Sequence, residues 1–344
     1  MSEVSAAPLS LREAVELLNR ADAIERLSPL TGSPLLLVDL RQPGEIPPQS
    51  ELAAASDALA RIPAPSVALE PRRPSQELRS LLPAFDLVLD REDDAEHIVR
   101  RVQRNPLASM ALVQLLRHAA GLSIEAGLVQ ESLVYSTLQA GPEFARWLAS
   151  RKPKPALAGA EPSVLVRREL DRLHLQLNRP SKRNAFSAEM RDLLCEGLTL
   201  ALADSSIEEV LLYGEGPDFC SGGDLDEFGS LPDPATAHAI RTTRSVARLL
   251  ADCAPRVRSH VHGACIGAGA ELPAFGGHVV VEGEASFALP EVAMGLVPGA
   301  GGTVSLPRRI GRQRTAWLAL SGAPLEAEQA LAWGLVDEVR RNAA

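Results

Sequence analysis

The sequence predicts an α/β protein in which short apolar strands alternate with helices. Residues 35–40, 66–70 and 85–89 are nearly continuous apolar runs, as in strands that are covered on both faces. Residues 173–177 instead alternate leucine with polar residues, which is the pattern of a half-buried strand. From residue 164 onward, strands and helices follow in a repeating strand–strand–helix order.

Length, composition and charge limit the classes of function. The chain has 344 residues, enough for one large domain or two ordinary ones. The net charge of −9 argues against general nucleic-acid binding, which requires a basic surface. No apolar run is long enough to span a bilayer, and the N-terminus has no basic-then-apolar signal pattern. We therefore expect neither a nucleic-acid partner nor a membrane partner.

The cysteines and histidines give no sign of a metal site. The four cysteines are scattered without CxxC spacing, so we expect reduced thiols that fill the core of a cytoplasmic protein. These are Cys195, Cys220, Cys253 and Cys265. His260 and His262 would lie on one strand face, where they could bind a metal. No third ligand is evident, and we expect no metal.

Helices are predicted between the three N-terminal strands. Residues 9–27 have the pattern of an amphipathic helix, with Ser10 and Glu13 at capping-box spacing. Its apolar face is predicted to contain Leu11, Val15, Leu18 and Ile24. Two further helices are predicted at 50–62 and 75–82.

A helical segment and a linker follow. Four helices are predicted between residues 93 and 152, and Leu128, Leu133 and Leu138 lie in the third. Residues 151–155 form an extended linker, because a residue before proline is pushed out of the helical region. Beyond the linker, helices are predicted to begin at Ser187 and to span 237–253 and 268–275. The later strands are predicted at 210–213, 257–261 and 279–281, and residues 285–289 lead into Pro290 and Glu291.

Three glycine-rich turns lie between residues 219 and 303. Residues 219–224 read Phe-Cys-Ser-Gly-Gly-Asp, residues 262–271 contain Gly-Ala-Gly and end in a glutamate, and residues 298–303 read Pro-Gly-Ala-Gly-Gly-Thr. Glycine allows backbone N–H groups to face a ligand without obstruction by side chains. Glu271 and Glu291 lie in or beside these turns. Backbone donors with two carboxylates suit proton chemistry next to a carbonyl group.

These turns, in this order, resemble the crotonase superfamily of enoyl-CoA hydratases and isomerases. The resemblance covers about residues 164–339, roughly half of the chain. It implies a spiral core of ββα units over residues 160–344 and an acyl-CoA thioester as substrate. Coenzyme A would then be part of the substrate, and we expect no separate cofactor. The resemblance also implies a homo-oligomer, either a trimer or a hexamer.

The resemblance assigns roles to individual residues. The N–H groups of Gly223 and Ala268 correspond to the two donors that bind the thioester oxygen. Glu271 and Glu291 correspond to the glutamates that hold a water between them, one acting as base and one exchanging a proton with the α-carbon. The segment containing Arg183 and Ala185, together with Ser221, Asp224 and Lys152, is expected to border coenzyme A.

The order of segments departs from the family pattern. Such chains usually continue past residues 334–337 into several helices that close the site and build the trimer. Residues 93–155 resemble that helical tail, and residues 1–92 echo the core, because 36–43 parallel 173–180. We hypothesise a degenerate duplication, with the N-terminal helices in the tail's place, in the same chain or a neighbour. The alternative is an unrelated helical domain joined by a linker.

Several functions fit these observations. Two glutamates favour hydration of a 2-enoyl-CoA, or the reverse dehydration, over reactions that need only one. An isomerase would use one carboxylate, and Glu291 is the better candidate. A carbon–carbon lyase and a thioester hydrolase on the same scaffold remain open. A non-catalytic acyl-CoA-binding protein is a further alternative.

Overall fold

A four-stranded parallel sheet forms the N-terminal layer of the protein. The computed structural model describes residues 7–151, 161–230 and 233–340. The strands pair in chain order: β1 (Leu9–Ser10), β2 (Leu36–Asp39), β3 (Ser66–Leu69) and β4 (Leu87–Leu89). The helices of this layer are α1 (Leu11–Leu18), α2 (Ala23–Arg26), α3 (Gln49–Arg61) and α4 (Gln76–Leu81), with a 3₁₀ turn at Leu82–Ala84.

The prediction that this sheet is covered on both faces is confirmed. Leu36 and Val38 of β2 belong to a core with residues of α1, α3 and α4. Leu37 and Val67 lie in a second core, which continues into the rest of the protein. Helices on both faces of a parallel sheet account for the apolar runs in its strands.

The first predicted helix is shorter than its sequence pattern. The capping box of Ser10 and Glu13 is present, but α1 ends at Leu18 and a turn separates it from α2. Asp22 stabilises that turn by accepting hydrogen bonds from the guanidinium groups of Arg20 and Arg26. The break turns Ile24 away from the core, so its predicted place on the apolar face is wrong; it is 54% exposed.

Four helices connect the N-terminal layer to the rest of the chain. They are α5 (Glu92–Arg104), α6 (Pro106–Ala119), α7 (Ile124–Gln139) and α8 (Pro142–Ala149). Pro106 and Pro142 begin their helices, where the missing N–H has no helical partner to lose. The buried Glu143 accepts the Leu107 and Ala108 N–H groups at 2.8 and 3.0 Å and so caps α6.

The second sheet is seven-stranded. Its strands are β5 (Val164–Glu169), β6 (Arg172–Leu177), β7 (Glu209–Gly214), β8 (Val257–Ile266), β9 (His278–Ala288), β10 (Leu325–Glu326) and β11 (Glu338–Arg340). Strands β6 to β9 run parallel, β5 and β10 pair antiparallel at the two ends, and β11 pairs with β9. The associated helices are α9 (Ala188–Ala203), α10 (Pro234–Thr243), α11 (Val246–Asp252), α12 (Ala268–Glu271), α13 (Gly302–Ile310), α14 (Arg312–Ser321) and α15 (Ala327–Trp333), with 3₁₀ turns at Pro180–Lys182, Ala254–Arg256, Pro273–Phe275 and Glu291–Met294.

Two predicted helices are each broken in this half. The helix predicted at 237–253 is α10 followed by α11, because Ser245 takes an extended conformation and its hydroxyl caps the second helix. The helix predicted at 268–275 ends at Glu271 and continues as a 3₁₀ turn. Pro273, which has no N–H to donate, is the first residue of that turn.

The echo between residues 36–43 and 173–180 has a structural counterpart. In both places a strand, a helix and a second strand form a parallel unit: β2–α3–β3 and β6–α9–β7. A parallel pair joined through a helix is a common unit of α/β proteins. The duplication therefore remains a hypothesis.

A buried acid, Asp86, joins the N-terminal sheet to the second half. It accepts hydrogen bonds from the backbone and hydroxyl of Ser66, from Arg117 of α6 and from Arg312 of α14. Asp86 is 1% exposed and the Arg117 side chain 5%. Nearby, His97 and Arg101 of α5 hydrogen-bond to backbone carbonyls of α14. Among the residues described above, no helix is long and apolar enough to cross a membrane.

Removing the Asp86 carboxylate should destabilise the whole protein. Asp86→Ala leaves the buried guanidinium of Arg117 and the partly buried one of Arg312 without their acid, and breaking a buried ion pair costs about 3–5 kcal/mol. The measurement is the free energy of unfolding in urea. Asp22→Asn, which breaks exposed pairs with Arg20 and Arg26, is the control and should leave the midpoint nearly unchanged. Equal midpoints for Asp86→Ala and wild type would contradict this account.

Candidate functional site

The three glycine-rich turns converge on one cavity of about 740 Å³. Gly223, Ala268, Glu271 and Glu291 all line it. The first two turns are joined directly, because the Cys220 N–H bonds to the Ala264 carbonyl and the Ile266 N–H bonds to the Cys220 carbonyl. Helices α7, α8 and α10 form other parts of the wall, so the N-terminal helices cover the cavity within the same chain.

Two backbone N–H groups at the cavity, those of Gly223 and Ala268, are not used in the hydrogen bonds that hold these turns together. The flanking Gly222 carbonyl and Asp224 N–H bond to the backbone of Phe186. Gly223 lies between them in this bridge, and Ala268 begins α12. In the described part of the chain, neither the Gly223 nor the Ala268 N–H has a hydrogen-bond acceptor. A pair of free donors on a cavity wall can bind a carbonyl oxygen or an oxyanion.

Glu271 is buried, at 1% exposure, and held by the third turn. Its Oε2 accepts the N–H groups of Ala300 and Gly302 at 2.8 and 2.7 Å. A side chain at residue 302 would collide with this carboxylate, since a Cβ there would lie 2.7 Å from Oε2. Burial raises the pKa of Glu271 well above its ordinary value, and the nearby Glu291 and Glu131 raise it further.

Glu291 lies at the start of a 3₁₀ turn, opposite the second glycine turn. Its Oε2 is buried and, among the described residues, has no hydrogen-bond partner. Burial raises the pKa of Glu291 to about 8, with a contribution from Glu131. Gly267 allows this placement: its φ is +51°, and a Cβ there would lie 2.4 Å from Glu291 Oε1. A carboxyl group with a pKa near neutrality can donate or accept a proton.

A third buried carboxylate, Glu131 of α7, was not predicted from the sequence. It is 2% exposed and lines the same cavity. Its Oε1 accepts the Gly301 N–H at 2.7 Å, and its Oε2 accepts the N–H and hydroxyl of Thr303 at 2.9 and 2.7 Å. Burial raises the pKa of Glu131 to about 7, although these hydrogen bonds and Arg241 act in the opposite direction.

The buried face of α7 is largely polar. Leu138 is buried and Leu128 is half-buried, but Leu133 is 51% exposed. The buried positions include Gly127, Glu131, Ser132, Tyr135 and Ser136. A repeat of small and polar residues on one helix face was the available signal for Glu131.

Helix α10 closes the cavity against α7 through Arg241. Its guanidinium lies over the Tyr135 ring, 4.8 Å from the centroid, and its Nε donates to the Ser132 hydroxyl at 3.0 Å. It also contacts the Ser136 hydroxyl and Gln139. Tyr135 itself fits against Gly299, where a Cβ would lie 2.4 Å from the ring.

The residues expected to border coenzyme A lie together, but only partly at the cavity. The Ser221 N–H bonds to the Arg183 carbonyl, and Asp224 lines the cavity while its carboxylate accepts from Arg179 at 2.8 Å. Arg183 is paired with Asp218 at 2.6 Å. Arg183, Ala185 and Ser221 lie outside the cavity wall. Lys152 falls outside the described residues.

The two histidines and the cysteines have structural partners. His260 contacts Glu282 at 2.9 Å, and His262 contacts the Gly216 carbonyl at 2.8 Å. His262, which neighbours the second turn in sequence, is not among the residues of the cavity wall. All four cysteines are buried, as core-filling thiols should be.

The three raised pKa values make stability depend on pH. Each carboxyl binds its proton more tightly in the folded protein than in the unfolded chain. Its contribution is therefore fully present below the unfolded value of about 4.5 and is lost as the pH rises through the folded value, about 8 for Glu291.

The Glu291→Gln variant has no ionisable group at this position. Its free energy of unfolding should therefore be close to that of wild type at pH 5 and higher than that of wild type at pH 8. Each proton changes the free energy of unfolding by at most about 1.4 kcal/mol per pH unit. Urea unfolding of both proteins at pH 5, 6.5 and 8 measures the difference. A difference that stays constant with pH would contradict the burial of an ionisable Glu291.

Comparison with known proteins identifies the family. The family model described as enoyl-CoA hydratase/isomerase matches residues 173–343. The chain is 39% identical over 170 residues to a 1,2-epoxyphenylacetyl-CoA isomerase of Escherichia coli (strain K12), a match covering 48% of this chain and 64% of that protein. It is 37% identical over 176 residues to a 2,3-dehydroadipyl-CoA hydratase of the same organism, covering 51% and 68%. The chain thus spans about two thirds of the length of these relatives.

Two solved structures are also similar to part of the chain. An enoyl-CoA hydratase from Thermoplasma volcanium GSS1 is 32% identical, with a TM-score of 0.49, over 54% of this chain and 75% of the other. The enoyl-CoA hydratase of Mycobacterium smegmatis is 30% identical, with a TM-score of 0.49, over 53% and 71%. The family-model match and the identity with the hydratase of which the chain covers 68% show that this chain belongs to the enoyl-CoA hydratase/isomerase family, the crotonases.

Proposed function

We propose that this protein is an enzyme that acts on acyl-CoA thioesters, and that its reaction is the addition of water to a 2-enoyl-CoA or the reverse. One observation carries the proposal: Glu271 and Glu291 line one cavity together with the unoccupied N–H groups of Gly223 and Ala268. This combination provides an oxyanion site, a base and a proton donor within one enclosure.

The two N–H groups would stabilise the charge that develops on the thioester oxygen. Addition of water at the β-carbon of the conjugated alkene moves an electron pair onto that oxygen, giving an enolate. A single backbone or amide donor of this kind is typically worth about 3–4 kcal/mol of transition-state stabilisation. Ala268 supplies its N–H as a glycine would, so the alanine in the second turn is compatible with this role.

The two glutamates would divide the proton transfers. In its ionised form, Glu271, whose Oε2 is held by two N–H groups, takes a proton from the water while the water oxygen bonds to the β-carbon. Glu291, with a pKa of about 8, gives its proton to the α-carbon as the enolate collapses. The sum is one water added across the double bond, and a proton must return from Glu271 to Glu291 before the next cycle.

The coenzyme A part of the bound substrate would extend out of the cavity along the segments at 183–185 and 221–224. Asp224 lies on the cavity wall, and Ser221 and Arg183 are joined by a backbone hydrogen bond just outside it. We retain Arg183, Ala185, Ser221, Asp224 and Lys152 as proposed contacts to this part of the substrate. No separate cofactor is required by the reaction. The cytoplasmic location and the trimeric or hexameric assembly remain predictions.

The relatives support a CoA thioester as the substrate, and they differ in the reaction. One is described as an isomerase and one as a hydratase, both of acyl-CoA compounds. An isomerase could work with Glu291 alone, whose buried Oε2 has no partner in the described part of the chain. The pairing of Glu291 with Glu271 favours hydration, because a bound water can then be activated.

The direct test is hydration of crotonyl-CoA and longer or aromatic 2-enoyl-CoAs by the purified protein. We expect Glu271→Gln and Glu291→Gln each to lower kcat by about 10²–10⁴-fold, as is typical for loss of acid–base help. Glu51→Gln, an exposed residue in the first turn of α3, is the matched control and should behave as wild type. Circular dichroism establishes that each variant is folded.

Each of the other outcomes points to a particular rival. Loss of double-bond migration in Glu291→Gln, with Glu271→Gln retaining it, would indicate an isomerase. Binding of CoA thioesters without turnover of any of them would favour a non-catalytic binding protein. Release of free CoA or of a cleaved acyl fragment would identify a thioester hydrolase or a lyase.

Gly267→Ala should abolish turnover by displacing Glu291. The new Cβ would lie 2.4 Å from Glu291 Oε1, and L-residues rarely adopt the backbone conformation of Gly267, with φ +51° and ψ −117°. Gly44→Ala is the control, since Gly44 also has a positive φ but a Cβ there meets nothing within 4 Å. We expect a larger loss of stability in Gly267→Ala than in Gly44→Ala, and a loss of kcat in Gly267→Ala alone. Retained turnover in Gly267→Ala would contradict the role given to Glu291.

A further inference from the structure

Glu131 binds the same turn that holds Glu271, but it comes from the N-terminal helices. Two of its contacts are to backbone N–H groups, of Gly301 and Thr303, and the third is to the Thr303 hydroxyl. Its carboxylate is almost completely buried. We propose that Glu131 is a positioning residue, which fixes the turn at 300–303 and through it the carboxylate of Glu271. The catalytic part of this inference rests on the function proposed above.

The two carboxylates share four consecutive N–H groups in alternation. Glu271 takes those of Ala300 and Gly302, and Glu131 takes those of Gly301 and Thr303. These residues lead into α13, whose first N–H groups have no partner within the helix. Consecutive peptide planes share a Cα, so a change in φ or ψ at one of these residues also reorients the N–H groups next to it. The position of Glu271 is therefore coupled to the contacts of Glu131.

A carboxylate is the group that suits these contacts. Three groups donate hydrogen bonds to Glu131: the Gly301 N–H, the Thr303 N–H and the Thr303 hydroxyl. An ionised carboxylate is an acceptor at both oxygens. A glutamine would keep the shape but place its NH₂ group against a donor, leaving a buried N–H unsatisfied. The choice of residue is thus not explained by packing alone.

The electrostatic environment connects Glu131 to the reacting groups as well. Its negative charge raises the pKa of both Glu271 and Glu291. Arg241 of α10 acts in the opposite direction on Glu131, so the N-terminal helix and α10 together set its ionisation. These effects require the groups to lie in one cluster, in agreement with their shared cavity.

The N-terminal helical segment is, on this view, part of the active site and not only its cover. Its packing around Glu131 is specific: a Cβ at Gly127 would lie 3.0 Å from Val304 of α13, and Tyr135 lies against Gly299. Helix α7 therefore contacts the third turn on both sides of the carboxylate. A residue 170 positions before Gly301 of the third glycine-rich turn would set the geometry of the proposed base.

The experiment compares Glu131→Gln with Glu143→Gln. Glu143 is a matched control, because it is also buried in the helical segment and also caps a helix through two N–H groups, but it is not itself a residue of the cavity wall. Two measurements are made on each: amide hydrogen exchange at residues 300–303, followed by NMR, and steady-state kinetics with crotonyl-CoA. Urea unfolding records the loss of stability in each variant.

In Glu131→Gln we expect exchange to accelerate at all four amides, including Ala300 and Gly302, which Glu131 does not contact. We expect kcat to fall about 10- to 100-fold with KM changed by less than about 3-fold, as for a misplaced catalytic group. Glu143→Gln should lose comparable stability while exchange at 300–303 and kcat stay near wild type.

Acceleration confined to Gly301 and Thr303, or equal losses of kcat in the two variants, would overturn the proposal, because a helix cap or general destabilisation would then suffice. If wild type hydrates no enoyl-CoA, the proposed function fails. The exchange at Ala300 and Gly302 still decides whether Glu131 positions Glu271. Should Glu131→Gln not fold, Thr303→Val removes one of the three contacts and is measured in the same way.

Discussion

Burial of a carboxylate away from water is costly unless N–H or O–H donors replace the lost solvation, and this constraint governs the site. The turn at 300–303 supplies four N–H groups in sequence, and two carboxylates from distant segments consume them. One carboxylate belongs to the glycine-rich core and the other to the helical segment before it. The cavity is built where those two segments meet, so neither part can form it alone.

The same constraint bears on the unusual order of segments. A helix that supplies Glu131 needs to reach the third turn, and its place in the chain is irrelevant to that contact. In this protein the helices at 92–149 precede the core in sequence and still cover the cavity of the same chain. That arrangement is what the proposed rearrangement requires. An unrelated helical domain that docks at the same place would look similar, so the duplication remains a hypothesis about origin.

The place of the site was predictable in part, because close backbone approach dictates the residue types of glycine-rich turns and such turns can be seen in a single sequence. The individual residues Gly223, Ala268 and Glu271 came from the resemblance to a known family. The strands at 36–39 and 66–69 were predictable because parallel strands covered on both faces are apolar throughout. The helix breaks at Asn19 and Ser245 were not predicted, because apolar residues recur at helical spacing on both sides of each turn.

Glu131 was missed because the usual relation between polarity and exposure is reversed on α7. Leu133 points outward while Glu131, Ser132 and Ser136 point inward. A sequence pattern assigns the inner face by hydrophobicity, whereas here the inner face meets backbone donors and a guanidinium. The polar partners of this face lie in residues 241 and 301–303, and their proximity is decided by the tertiary fold.

The N-terminal sheet has no glycine turn or carboxylate pair of the kind found at the cavity, yet its position supports the chemistry proposed there. The core on one face of this sheet, which contains Leu37 and Val67, continues into α5 and α6. Asp86 joins the sheet to Arg117 of α6 and Arg312 of α14. Helix α14 follows α13 directly, and α13 begins at the turn that the two carboxylates share. Asp86 thereby ties α6, which precedes α7, and α14, which follows α13, to the same sheet. Three buried carboxyl groups with raised pKa values lower the free energy of unfolding at neutral pH. The contacts between the N-terminal sheet and these helices lie outside the site, and they offset that loss.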